Sequence, residues 1–320
     1  NTNKIGYKMG MMLKELKLVN LMIISLILML NSCNSYEKES KDTLFKSLLS
    51  SETGIDFTNT IIDTRDFNIF SYRNFYNGAG VGIGDINNDG LPDVYMVSNL
   101  GENKLFLNEG NLKFKDITET SGINGTHAWS TGVVMVDINN DGYLDIYVAN
   151  AGNVKGDTRK NELFINNKNL SFTEQATKYG LDDDGFTTHT TFFDYDGDGD
   201  LDVYILNNSF IPVNSLEYAN KRNLRDKDWP LPELFKGGGD RLLKNENGTF
   251  IDVSEEAGVY GSLIGFGLGV IVGDVNNDTL PDIYVCNDFY ERDYLYINQG
   301  NGTFKDEIKD QMSHLTMSSM

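Results

Sequence analysis

From about residue 80 onward the apolar residues fall into short runs broken by polar turns, and the runs come in sets of four. The first run of each set is small and apolar: Gly80-Val-Gly-Ile-Gly84, Thr131-Gly-Val-Val-Met-Val136, Thr190-Thr-Phe-Phe193 and Gly267-Leu-Gly-Val-Ile-Val-Gly273. The second is β-branched and aromatic: Val94-Tyr-Met-Val97, Ile146-Tyr-Val-Ala149, Val203-Tyr-Ile-Leu206 and Ile283-Tyr-Val-Cys286. The third ends on asparagine: Lys104–Asn108, Glu162–Asn166, Arg241–Asn245 and Tyr294–Asn298. Turns such as Asn247-Gly248 and Asn301-Gly302 lead into a fourth run that opens on Phe114, Phe172, Phe250 or Phe304. Short β-branched and aromatic runs bounded by turn residues are strands. A four-stranded unit repeated along a chain is the pattern of a β-propeller blade. The chain therefore reads as all-β: four blades of four strands each, with the glycine-rich first strand innermost, where blades crowd together and bulky side chains do not fit.

Between the first and second run of every set lies an acidic nonapeptide, starting at Asp85, Asp137, Asp194 and Asp274. Oxygen-bearing residues at positions 1, 3, 5 and 9, with the backbone carbonyl of position 7, suit a hard cation that takes six to eight oxygen ligands. This pattern nominates Asp85, Asn87, Asp89, the Leu91 carbonyl and Asp93 in the first loop, and Asp137, Asn139, Asp141, the Tyr143 carbonyl and Asp145 in the second. The third offers Asp194, Asp196, Asp198, the Asp200 carbonyl and Asp202, and the fourth Asp274, Asn276, Asp278, the Leu280 carbonyl and Asp282. About four Ca²⁺ sites are expected; Mg²⁺ demands a smaller octahedral cage and keeps its waters. An EF-hand needs a bidentate Glu at position 12, where these loops have Met96, Val148, Ile205 and Val285. The loops thus join strands rather than helices. The third loop, with the most carboxylates, is expected to bind tightest. The fourth has Thr279 where the others have glycine, which predicts strain or weaker binding. The run Gly78-Ala-Gly80-Val-Gly82-Ile-Gly84 lacks the spacing and the following helix of a dinucleotide fingerprint.

The loop pattern, the following Tyr-bearing strand, the N-x-L-F-x-N strand and the closing F-x-D turn together resemble FG-GAP/VCBS repeats of the kind found in integrin α-subunit propellers. They are also similar to the cartilage acidic protein and ASPIC/UnbV-type family, over about residues 51–320. That resemblance implies a propeller, seven-bladed when complete, with calcium in the loop between strands one and two. It implies no secure activity.

The net charge of −20 excludes nucleic acid as a partner, since the phosphate backbone demands a basic surface. Fourteen of the 47 acidic residues sit in the four loops, so the acidity reads as ligand supply. Loop starts lie 52, 57 and 80 residues apart; the long interval reflects an insertion over about 207–239 that carries Lys221, Arg222, Arg225, Trp229, Pro230 and Pro232. The two cysteines cannot form a disulfide framework. Cys286 lies in an apolar run and reads as a small buried side chain. Ahead of the repeats, Lys14 and Lys17 precede a mostly apolar stretch from Leu18 to Leu30, too short to span a bilayer comfortably. The following Leu30-Asn31-Ser32-Cys33 is similar to a bacterial lipobox. The expected organisation is a lipoprotein signal at 1–33 with lipidation of Cys33, a flexible polar tether at 34–50, and the repeat region at 51–320. This places the chain at the envelope of a Gram-negative bacterium, held to a membrane by its lipid. His314–Met320 matches the first strand of a fifth blade, so the natural protein is expected to continue.

Loops joining strands one and two share one face; the other connections share the opposite face. There Arg73, His127, Trp129, His189, Trp229, Tyr290 and Arg292 are the candidates for a ligand surface. The reading is a calcium-binding envelope module for a protein or glycan. A polysaccharide lyase or hydrolase on the same scaffold is the enzymatic alternative, without a recognisable catalytic motif. A structural subunit of a surface complex is the third.

Overall fold

The computed structural model describes residues 44–123, 125, 129–152, 159–211, 224–288 and 291–313. The chain divides into two compact units, Asn1–Leu48 and Leu49–Met320. Cys33 and the signal region, most of the tether, His127, Tyr290 and the fifth-blade segment after Ser313 lie outside the described residues.

Among the described residues of the second unit, sixteen strands form four antiparallel sheets of four, each in the order in which its strands occur along the chain. The first is β1 (Val81–Gly84), β2 (Asp93–Met96), β3 (Lys104–Asn108) and β4 (Phe114–Asp116); the second is β5 (Ser130–Val136), β6 (Asp145–Asn150), β7 (Glu162–Asn166) and β8 (Phe172–Glu174). The third is β9 (Thr187–Phe193), β10 (Asp202–Asn207), β11 (Arg241–Asn245) and β12 (Phe250–Asp252); the fourth is β13 (Gly267–Gly273), β14 (Asp282–Asn287), β15 (Tyr294–Asn298) and β16 (Phe304–Asp306). Every predicted third strand has its predicted bounds. The fourth strands are only three residues long, because the chain turns away from the sheet. Thr118–Ser121 and Ala176–Tyr179 become helical turns, each closed by a glycine in the left-handed region.

Each sheet covers its neighbour, which is why the second strands read as continuous apolar runs: β6 and β10 are buried along their whole length. Three cores fill the gaps between blades. Tyr95, Leu105 and Ile117 meet Ile146, Val148 and Phe164; Tyr147 and Leu163 meet Val203 and Phe250; Tyr204 and Leu242 meet Val285 and Tyr296. Inner strands are also tied by hydrogen bonds: Thr131 Oγ1 donates to the Thr187 carbonyl at 2.6 Å, and Thr188 Oγ1 to the Gly267 carbonyl at 2.9 Å. The close approach explains the glycines, since a Cβ on Gly80 would lie 2.9 Å from the Gly132 Cα. The chain is a propeller-like array of blades.

Candidate functional site

The acidic loops fold by one scheme. The position-1 carboxylate accepts the N–H groups of positions 5 and 6: Asp85 from Asp89 (3.2 Å) and Gly90 (2.7 Å), Asp137 from Asp141 (2.9 Å) and Gly142 (2.8 Å). Asp194 accepts from Asp198 and Gly199, and Asp274 from Asp278 and Thr279. Position 5 in turn accepts from the N–H of position 7: Asp89 from Leu91 at 2.8 Å, Asp141 from Tyr143 at 3.0 Å, Asp198 from Asp200 at 3.2 Å and Asp278 from Leu280 at 2.9 Å. This winding puts position 6 in the left-handed region. Thr279 adopts φ +74° there, so the predicted strain at the fourth loop is present in the backbone.

Position 9 behaves differently. Asp93, Asp145 and Asp202 are fully buried, and Asp282 is nearly so. Each spans two backbone donors. Asp93 accepts the Ile86 N–H at 3.0 Å and the Asn108 N–H at 2.7 Å; Asp202 accepts those of Tyr195 at 3.1 Å and Asn245 at 2.8 Å. Asp145 and Asp282 make the same pair of bonds. Position 9 therefore clasps the loop to the end of the third strand, a role that its placement as a metal ligand did not foresee. Burial pushes the Asp145 carboxyl up to about 6 and that of Asp202 up to about 7, against the N–H groups that favour the charged form.

The third loop brings carboxylate oxygens of Asp194, Asp196 and Asp202 within 4.8 Å of one another. Oxygens about 2.3–2.6 Å from one Ca²⁺ fall within such a separation, so the donor set fits a hard cation. The buried Oδ1 of Asp200 has no hydrogen-bond partner. One feature departs from the repeat. Lys244 on β11 stands where the other blades have Leu107, Ile165 and Ile297, and its Nζ lies 2.5 Å from Asp196 and 3.5 Å from Asp198. The loop richest in carboxylates thus holds an internal cation, which opposes the expectation of tightest binding. At the second loop Lys168 Nζ lies 3.4 Å from Asp141 and 5.1 Å from the centre of the Tyr143 ring.

A second repeated clasp had a signal in the sequence that went unread: the Asn or Asp just before each third strand. Asn103, Asn161, Asp240 and Asp293 accept the N–H of Ser98, Asn150, Asn207 and Asn287 respectively, at 2.8–3.0 Å. Asp240 also accepts from the Tyr204 hydroxyl at 2.9 Å, and burial pushes its carboxyl up to about 7.

The opposite face corrects two candidates. Trp129 is buried, and its ring packs edge-on to Phe67 (5.1 Å) and Tyr72 (5.4 Å), near Phe75 and Phe186. Trp129 is core because Phe67, Tyr72 and Phe75, from the segment ahead of β1, pack against its ring. Trp229 is buried with Ile211 and Leu263 and donates its indole N–H to the Leu224 carbonyl at 3.2 Å. The described part of the insertion is thus anchored by its own small core. His189 is half-buried on β9 and burial lowers its pKa; Arg73 is exposed. Arg292 is ion-paired with Asp306, its guanidinium 5.2 Å from the Tyr294 ring centre. Cys286 is half-buried, and burial and Asp293 push its thiol up, away from nucleophile behaviour.

Repeated four-stranded blades with an acidic loop between the first two strands define an FG-GAP-type repeat protein. A profile of the FG-GAP-like repeat matches residues 85–148, 149–205 and 274–319, together just over half of the chain, and the chain belongs to that family. Among characterised proteins it is similar to cartilage acidic protein 1 of Homo sapiens, 25% identical over 228 residues, and equally so to that of Mus musculus. The Xenopus tropicalis protein is 30% identical over 131 residues. The aligned regions cover 71% of this chain for the human and mouse proteins and 41% for the frog protein, but only 31% and 20% of those relatives' own lengths. The chain therefore spans about a third or less of the relatives it matches.

Proposed function

We propose that this chain is a calcium-stabilised binding module of a bacterial cell envelope, held to the membrane by a lipid on Cys33, which engages a protein or glycan through the face opposite the acidic loops. The observation that carries the metal is the convergence of Asp194, Asp196 and Asp202 within 4.8 Å, in a loop scheme repeated four times. Calcium would be held by the acidic positions and the position-7 carbonyls, and would offset the charge concentrated there. The position-9 carboxylates keep each loop wound toward the ion. In that arrangement the ion is a structural clasp, and recognition falls to the other end of the blades, where the insertion and the longer connections gather.

Melting curves test the metal. An ion that binds only the folded state at a hundred times its Kd adds about 2.7 kcal/mol. Calcium should therefore raise the melting temperature and EDTA lower it; no response to either sinks the metal assignment. Metabolic labelling with palmitate tests the anchor, since label that survives Cys33→Ala rules out lipidation there. Binding to an array of glycans and envelope proteins tests recognition. A partner retained after Arg225→Glu and Arg292→Glu together would place recognition away from this face.

A further inference from the structure

The asparagines that end the third strands of the second and fourth blades reach beyond their own sheets. Asn166, the last residue of β7, donates its side-chain amide to two carbonyls. One is that of Leu144 in its own blade, at 3.0 Å; the other is that of Ile86, at position 2 of the first loop, at 2.8 Å. Ile86 in turn donates its N–H to Asp93 at 3.0 Å, and the Asn166 N–H goes to Asp145 at 2.8 Å. The position-9 carboxylates of loops one and two are therefore joined through two residues, Ile86 and Asn166. The same relay joins loops three and four. Tyr195 donates its N–H to Asp202 at 3.1 Å, the Asn298 amide donates to the Tyr195 carbonyl at 2.8 Å, and the Asn298 N–H to Asp282 at 2.8 Å. Every member of both relays is buried.

Loops two and three are not joined in this way. Asn245 donates to the Leu201 carbonyl of its own blade at 3.3 Å, and among the described residues it makes no hydrogen bond to Ile138, position 2 of the second loop. Ile138 is held instead by apolar packing in the core between those blades. Loops one and two also have a direct link, since Asn88 Nδ2 donates to the Gly142 carbonyl at 2.8 Å. The third loop has Gly197 at that position and no side chain to repeat the bond. Groups in a buried relay have no water to turn to, so a carboxylate that shifts takes with it the peptide it holds. Ordering one loop thus orders its neighbour in advance, and a ligand that meets an ordered site binds more tightly. One hydrogen bond can carry about a fivefold change in affinity.

We propose that the acidic loops take up calcium in cooperative pairs, one with two and three with four, and that Asn166 and Asn298 are the positioning residues that couple each pair. The proposal rests on the calcium reading of the loops. The test is a calcium titration of the full chain followed by amide NMR, in which Gly90, Gly142, Gly199 and Thr279 report loops one to four separately. Asn88→Gly, at a position already in the left-handed region (φ +61°), removes the direct link and serves as the common background. Asp89→Ala then silences the first loop by deleting an exposed carboxylate. It should weaken calcium binding at Gly142 about fivefold. With Asn166→Ala added, Asp89→Ala should no longer change the affinity at Gly142. A merely structural asparagine would shift both affinities and leave that dependence in place. Asp141→Ala, which silences the second loop, should leave Gly199 unaffected. Asp278→Ala with and without Asn298→Ala gives the same cycle in the other pair, should a variant of the first fail to fold. An affinity at Gly142 untouched by Asp89→Ala overturns the proposal. So does a dependence that survives Asn166→Ala, or an equal effect of Asp141→Ala on Gly199. Calcium that moves none of the four resonances overturns the calcium reading and the pairing with it; calcium bound by four independent loops removes the pairing alone.

Discussion

Asp93→Asn separates the clasp role of position 9 from metal binding. The side chain is fully buried, and its two oxygens accept the Ile86 N–H at 3.0 Å and the Asn108 N–H at 2.7 Å. Asparagine preserves the shape but turns an NH₂ toward one of those donors. The change loses a bond to a charged acceptor, worth about 1.5–3 kcal/mol, and strands a buried N–H. Gross destabilisation is thus about 3 kcal/mol. Burial raises the Asp93 pKa, so removing the charge returns part of that. The net is about 2 kcal/mol, or a fall of about 4–8 °C in melting temperature. The measurement is thermal unfolding in EDTA, where no ion contributes. Asp89→Asn is the control: Asp89 is exposed and accepts only from Leu91 and from the Asn87 side chain within its own loop. It should cost under about 0.5 kcal/mol without calcium. Equal small losses for the two variants in EDTA would refute the clasp and return position 9 to a purely ligating role.

Three further outcomes are expected. Asp240 has a folded pKa near 7, above the unfolded carboxylate value of about 3.9. Its protonated form therefore supports the fold fully below about pH 4, and that support is lost as pH rises toward 7. Asp240→Asn, which matches Asn103 and Asn161 in the first two blades, should flatten the stability profile over that window, and an unchanged slope would refute the assignment. Thr279→Gly relieves a residue held at φ +74° and should raise the apo melting temperature by about 2–4 °C, or about 1 kcal/mol; a fall would show that the threonine is not strained. Lys244→Leu removes an ammonium 2.5 Å from Asp196 and should tighten calcium binding at the third loop about five- to tenfold by calorimetry, for a pair worth about 1 kcal/mol; an unchanged affinity would show that Lys244 does not compete.

Much of this protein was legible because its pattern is local and repeated. Short β-branched and aromatic runs, Asn-Gly turns and an acidic nonapeptide at fixed offsets place sixteen strands and four loops without reference to any distant residue. The third strands, each ending on an asparagine whose amide caps a neighbouring carbonyl, could be bounded to the residue. The helical turns at Thr118–Ser121 and Ala176–Tyr179 were missed because they are a single turn, too short for a helical period to show.

What the chain alone determined is therefore the repeat, the order of strands within each blade and the position of the acidic loops, all set by residues within a few positions of one another. The tertiary structure decided everything that depends on a partner from far along the chain. It made Trp129 core, by laying Phe67 and Tyr72 over it. It carried Lys244 to Asp196, 48 residues away. It buried Asp93 between a loop and a strand end, adding a clasp role to an expected ligand. Burial and hydrogen-bond satisfaction are properties of a neighbourhood, and no spacing along a sequence records which side chains will share one.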